Sequence, residues 1–174
     1  MTTIGVALAI PEPWGTRLQE YRTSLGDATA HAIPTHITLI PPTEIDPDAL
    51  GAVEEHLTRV AQRHQAYRVQ LRGTGTFRPV SPVVFVTVAQ GIPGCEQLAA
   101  GLRQGPLAVD LDFPYHPHVT VAHHLDDEAL DRAFSELANF DCEFVADEFH
   151  LYVHDSVRGW VPTRAFALAP RPWA

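Results

Sequence analysis

A chain of 174 residues with 45% hydrophobic and 19% charged residues can build one compact domain with a real core, and is too short for two independent ones. The formal charge is -9 and all twelve basic residues are arginine, which argues against a protein that covers many phosphates of a long nucleic acid. Cys95 and Cys142 match neither a disulfide framework nor a thiolate metal site, and no run has the length of a membrane span or the pattern of a signal peptide. The expectation is a monomer in a reducing cytoplasm, away from membranes and extended duplexes, whose anionic partner is a nucleotide or one end of an RNA.

In chain order, residues 4–10 form a continuous apolar run stopped by Pro11 and Pro13, the pattern of a buried strand. Residues 14–25 mix apolar and charged positions as a helix does, and Gly26 ends them. Residues 36–40 are rich in β-branched side chains, with Pro34 before them and Pro41-Pro42 after, which predicts a strand closed by proline at both ends. A helix is predicted over 46–64, with Asp46 as N-cap, Pro47 in the first turn, and Leu50, Val53, Leu57, Val60 and Ala61 at helical spacing. Residues 67–71 alternate and lead through a Gly-Thr-Gly-Thr turn to Phe77. The order then repeats: a strand over 83–89, a helix over 94–104, a β-rich run over 118–122, a helix over 126–138 and one alternating strand over 142–153. A last strand is predicted over 163–169. The chain therefore reads as one domain, 1–174, made of two similar halves, about 1–80 and 81–174. The fold class is α+β, with two sheet-bearing lobes facing each other across a cleft.

Each half carries a His-x-Thr triplet in its second strand: His36-Ile-Thr38 and His118-Val-Thr120. In an extended strand residues i and i+2 share a face, so each strand presents one imidazole and one hydroxyl together and turns its apolar residues the other way. Two such strands across a cleft bring two imidazoles and two hydroxyls to one point. A neutral histidine there takes a proton from an attacking water, an imidazolium gives one to a departing ribose oxygen, and the hydroxyls hydrogen-bond non-bridging phosphate oxygens. Proton transfer and oriented donors address every charge that develops, so neither a metal nor a cofactor is called for. Which histidine is base and which is acid stays open in a near-symmetric pair.

Ten histidines and many threonines give about one such triplet by chance, and His56-Leu-Thr58 supplies the control. It falls inside the predicted helix over 46–64, where i and i+2 do not share a face, and is expected on a solvated helix surface.

Pro34-Thr-His36-Ile-Thr-Leu-Ile and Pro117-His118-Val-Thr-Val-Ala resemble the two signature motifs of the 2H phosphoesterase superfamily, and especially its 2′-5′ RNA ligase or RNA 2′,3′-cyclic phosphodiesterase branch. Gly75-Thr-Phe77 followed by Val83-Val-Phe-Val86 resembles that family's junction between halves. The resemblance covers nearly the whole chain. It implies a bilobal pseudo-two-fold fold with two antiparallel sheets flanked by helices, metal-independent opening of 2′,3′-cyclic phosphates to 2′-phosphates, and in some members reversible 2′-5′ joining of RNA ends. His36, Thr38, His118 and Thr120 are then the catalytic set.

Relatives often carry a basic residue just after the second motif, where this sequence reads Ala122-His123-His124. Strand parity puts His124 on the face of His118 and Thr120, as a substitute donor when protonated or as a solvent-facing strand end. His116, His118, His123 and His124 have no familiar metal-binding spacing, and no metal site is expected. Phe77 and Tyr115 are candidates to stack a base or rim the cleft. Arg78, Arg158 and Arg164 are candidates for phosphate contact. Two alternatives stand beside the RNA-end enzyme: a phosphodiesterase for a small cyclic nucleotide or ADP-ribose cyclic phosphate, and a binding module that does not turn its nucleotide over.

Overall fold

The computed structural model describes residues 1–173. Its strands are β1 (Thr2–Ala9), β2 (His36–Ile45), β3 (Tyr67–Thr76), β4 (Val83–Gln90), β5 (His118–His123), β6 (Asp141–Ala146), β7 (Glu148–Asp155) and β8 (Gly159–Ala167). The helices are α1 (Trp14–Ser24), α2 (Leu50–Arg63), α3 (Ile92–Leu102) and α4 (Asp127–Glu136). The strands form two four-stranded antiparallel sheets, ordered β2-β1-β7-β8 and β5-β4-β3-β6. Each sheet thus has a His-x-Thr strand at one edge, held by the first strand of its own half. The third strand comes from the other half: β3 pairs with β4, and β7 pairs with β1.

The two edge strands β2 and β5 touch across the gap between the sheets. Helix α1 leans on β5 and α3 leans on β2, so each motif strand is braced by a helix from the opposite half. Along both strands partly exposed and buried residues alternate from the histidine onward, as the two-residue period requires. Ile37 and Leu39 are fully buried with Ile4, Val6 and Leu8 of β1, and Val119 and Val121 with Val84 and Val86 of β4. Each such side chain contributes about 1.5–3 kcal/mol by leaving water, enough to fix which face of the strand looks into the cleft.

Four expectations are corrected. Pro41 and Pro42 do not close the strand: β2 runs to Ile45, as an edge strand can, with register shifts against β1 between Ile4 and Ala7. The Gly-Thr-Gly-Thr segment is not a turn but the end of β3, where a register shift against β4 between Leu71 and Thr74 absorbs the glycine. The single strand over 142–153 is two, because the chain breaks at Asp147 and sends β6 and β7 to different sheets. His56 is not solvated; it is 8% exposed, and its ring nitrogen meets the Leu102 carbonyl at 3.0 Å. That bond ties α2 to the end of α3. His56→Ala is therefore expected to cost about 1–3 kcal/mol in chemical denaturation, while the folded variant keeps wild-type turnover.

Candidate active site

The side chains of His36 and His118 are fixed in the same way. The Nδ1 of His36 lies 2.7 Å from the Pro34 carbonyl, and the Nδ1 of His118 lies 2.6 Å from the His116 carbonyl. A carbonyl only accepts, so in both rings Nδ1 carries the hydrogen and Nε2 is left free for chemistry. The bond reaches back two residues in each motif, so the tautomer and the ring orientation come from the local strand itself. His118 is near enough to His36 for its charge to be felt there.

Burial pulls the His36 pKa down to about 4, with the charges of Arg22 and His118 adding to the effect. Burial also lowers His118, helped by the neighbouring His116. Both rings therefore favour the neutral form, and both await a negative partner to become imidazolium.

His118 is also held sideways. Phe77 meets it edge-on, with centroids 5.0 Å apart at 88°, and Phe85 lies 5.3 Å away. The two phenyl rings pack on each other at 4.6 Å. Phe85 has room because residue 75 is glycine: a Cβ there would stand 2.6 Å from the Phe85 ring.

Two depressions meet at Thr38. A broad groove runs past Thr38, Phe77, Tyr115, His116 and His118, with the exposed side chains of Val80 and Phe113 at its rim. A smaller cavity lies on the other side, against His36 and Thr38, walled by Tyr152 and Trp160. Thr120 shares the face of His118 on β5 and is partly exposed, but lines neither depression. Tyr115 faces the broad groove, and its hydroxyl donates to the Thr38 carbonyl at 2.8 Å, fastening the 109–115 loop to β2.

His124 is exposed and lines neither depression. The strand ends at His123, and His124 has a φ of 55°, so parity no longer sets its direction; its ring stacks on His123 at 3.6 Å. The three candidate arginines are each engaged by carboxylates: Arg78 by Asp131 and Asp127, Arg158 by Asp155, and Arg164 by Glu54. The cation felt at the site is Arg22 of α1, 3% exposed and paired with Asp27 at 2.7 Å. Its charge helps hold down both His36 and His123. Sequence reading passed over Arg22, Phe85, Tyr152 and Trp160. Only the spacing of Phe85 within the Val-Val-Phe-Val run gave any signal. Among the described residues no three histidine, cysteine or acidic side chains gather as a metal site, and no helix is long and apolar enough to cross a membrane.

The chain and its fold have known relatives. The model of the 2′-5′ RNA ligase superfamily matches residues 10–158, and the chain belongs to that family of 2H phosphoesterases. A protein of Oceanobacillus iheyensis with a provisional phosphoesterase name is 26% identical over 138 residues, covering 78% of this chain and 81% of its own. A Bacillus licheniformis protein, also provisionally named a phosphoesterase, is 28% identical over the same shares. Among solved structures, Escherichia coli LigT complexed with 3′-AMP superposes with a TM-score of 0.65 at 21% identity, covering 96% of this chain and 98% of its own. LigT has also been solved with NADP+ and with ATP. A Thermus thermophilus protein superposes with a TM-score of 0.67 at 25% identity, over 97% and 98% of the two chains.

Proposed function

We propose that the chain is a metal-independent phosphodiesterase that opens 2′,3′-cyclic phosphates on nucleotides or RNA ends to 2′-phosphates, acting as a cytoplasmic monomer made of two similar halves. The observation that carries the reading is the matched pair of imidazoles on the touching edge strands β2 and β5, near enough for the charge of one to be felt at the other, each with Nδ1 bound to the carbonyl two residues before it and Nε2 free. The nucleotides held by LigT favour a nucleotide as ligand.

His36, with its pKa drawn to about 4, suits the base. Its neutral Nε2 takes a proton as the water oxygen forms its bond to phosphorus. The bond from phosphorus to O3′ breaks, and the His118 imidazolium gives its Nε2 proton to that oxygen, leaving a 2′-phosphate and a free 3′-hydroxyl. Thr38 and Thr120 donate to the non-bridging oxygens as charge builds on them. With an RNA 5′-hydroxyl in place of water, the same groups in the same direction join a 2′-5′ bond: His36 takes the 5′-hydroxyl proton as O5′ bonds to phosphorus, and His118 protonates O3′ as it leaves.

The test is incubation in chelator with 2′,3′-cyclic nucleotides, cyclic-phosphate-ended RNA and ADP-ribose cyclic phosphate, with the products identified. Formation of 2′-phosphates is expected, and complete silencing by EDTA would contradict the mechanism. The pH dependence follows from the same shifts. The free enzyme needs His36 neutral and His118 protonated, and His36 drops to about 4 while His118 lies below its ordinary 6.5. The profile of kcat/KM should therefore be a bell centred on the acid side of neutrality. That of kcat should move to higher pH, because bound phosphate favours the imidazolium. The unfolded chain binds these protons more readily, so stability is full above about 6.5 and falls as pH drops toward about 4.

A further inference from the structure

The smaller cavity beside His36 is lined mostly by apolar and aromatic groups. Its floor is β1, which presents Gly5 and Ala7 where longer side chains would fill the space. A Cβ on Gly5 would stand 3.4 Å from the Trp160 ring, so the indole reaches over the bare backbone of β1. Tyr152 lies in register with Gly5 on the neighbouring strand and supplies a second aromatic wall. Trp160 is set from two sides. His154, its register partner, meets it edge-on at 5.1 Å, and the preceding Gly159, with φ at 77°, lets the chain press on the Ala32 carbonyl, which any Cβ would strike at 2.4 Å. Around this aromatic slot, His36 and Thr38 are the lining groups that also belong to the catalytic set proposed above.

The position says which sugar the substrate must bring. His36 and Thr38 line the cavity, so a phosphate held at them has room to set its own ribose at the cavity mouth with the base one sugar ring further in. Aromatic faces bind bases of any sequence by stacking. We infer that the cavity walled by Trp160 and Tyr152 seats the nucleobase of the ribose that carries the cyclic phosphate. The inference rests on the phosphodiesterase reading and narrows it. In ADP-ribose cyclic phosphate the sugar bearing the cyclic phosphate has no base, and the adenine lies beyond a pyrophosphate. That ligand leaves the slot empty, whereas a nucleoside 2′,3′-cyclic phosphate or a cyclic-phosphate-ended RNA fills it. The broad groove on the far side of Thr38 is then free for the rest of an RNA chain.

The experiment compares adenosine and cytidine 2′,3′-cyclic phosphates with the base-less methyl riboside 2,3-cyclic phosphate, in chelator, reading kcat and KM separately. Wild type is expected to prefer the nucleotides by about five- to a hundredfold in kcat/KM, the usual worth of one stacked base. Trp160→Ala should remove that preference by slowing the nucleotides alone, and Trp160→Phe should restore most of it. Gly5→Val, which plugs the floor and keeps the indole, should act like Trp160→Ala and covers the case in which that variant does not fold. Equal use of all three substrates by wild type would overturn the base pocket and leave the phosphodiesterase standing. Equal losses on nucleotide and base-less substrate in both Trp160→Ala and Gly5→Val would make the cavity structural, which also overturns it. A wild type inert toward every cyclic phosphate would bring down the catalytic reading and the pocket with it.

Discussion

His36→Ala and His118→Ala are each expected to lower kcat for opening a 2′,3′-cyclic phosphate by about a hundred- to ten-thousandfold, the scale on which general acids and bases act. Both rings sit at strand edges facing the cleft and are only partly buried, so their loss leaves the apolar side of each strand untouched. The thermal midpoint should accordingly change little. A loss of activity that came from unfolding would show in the circular dichroism spectrum, which is expected to match wild type. The two variants should differ in pH dependence. Without His36 the acid limb of kcat/KM disappears, because the group that must be neutral is gone. Without His118 the basic limb disappears. Interchanged limbs would reverse the assignment of base and acid made from the deeper depression of His36.

The second large effect falls on the hydroxyls. Thr38→Val keeps the branched shape and removes the donor, and should slow the reaction by about ten- to a thousandfold, mainly in kcat, since a donor aimed at developing charge acts most in the transition state. Thr38 lines both the broad groove and the smaller cavity, whereas Thr120 lines neither. The larger loss is therefore expected for Thr38→Val and the smaller for Thr120→Val. A Thr38→Val enzyme whose KM rises with kcat unchanged would place the hydroxyl in ground-state binding instead.

Much of this was legible in the amino-acid order because the motif strands obey local rules. Ile37, Leu39, Val119 and Val121 demand burial, and the two-residue period then leaves His36, Thr38, His118 and Thr120 on the opposite face. Parity failed at His124 for a local reason as well: a positive φ just beyond the end of β5 takes the residue out of the strand's alternation. The break at Asp147 has no proline or glycine to mark it, and the exchange of β3 and β7 between sheets is a long-range pairing that no short window contains. That exchange is what carries Tyr152 and Trp160, more than a hundred residues away in sequence, to the side of His36. Arg22 was invisible for a similar reason, since an arginine in a helix reads as surface until its buried partner Asp27 is seen.

Two rings working on one phosphorus are a unit, and the losses from a unit do not multiply. The direct measurement is kcat for His36→Ala, His118→Ala and the double variant, in chelator, on one cyclic nucleotide. The double variant is expected to retain about the residual rate of the slower single variant. Full multiplication of the two losses, or either single variant turning over like wild type, would contradict a shared site.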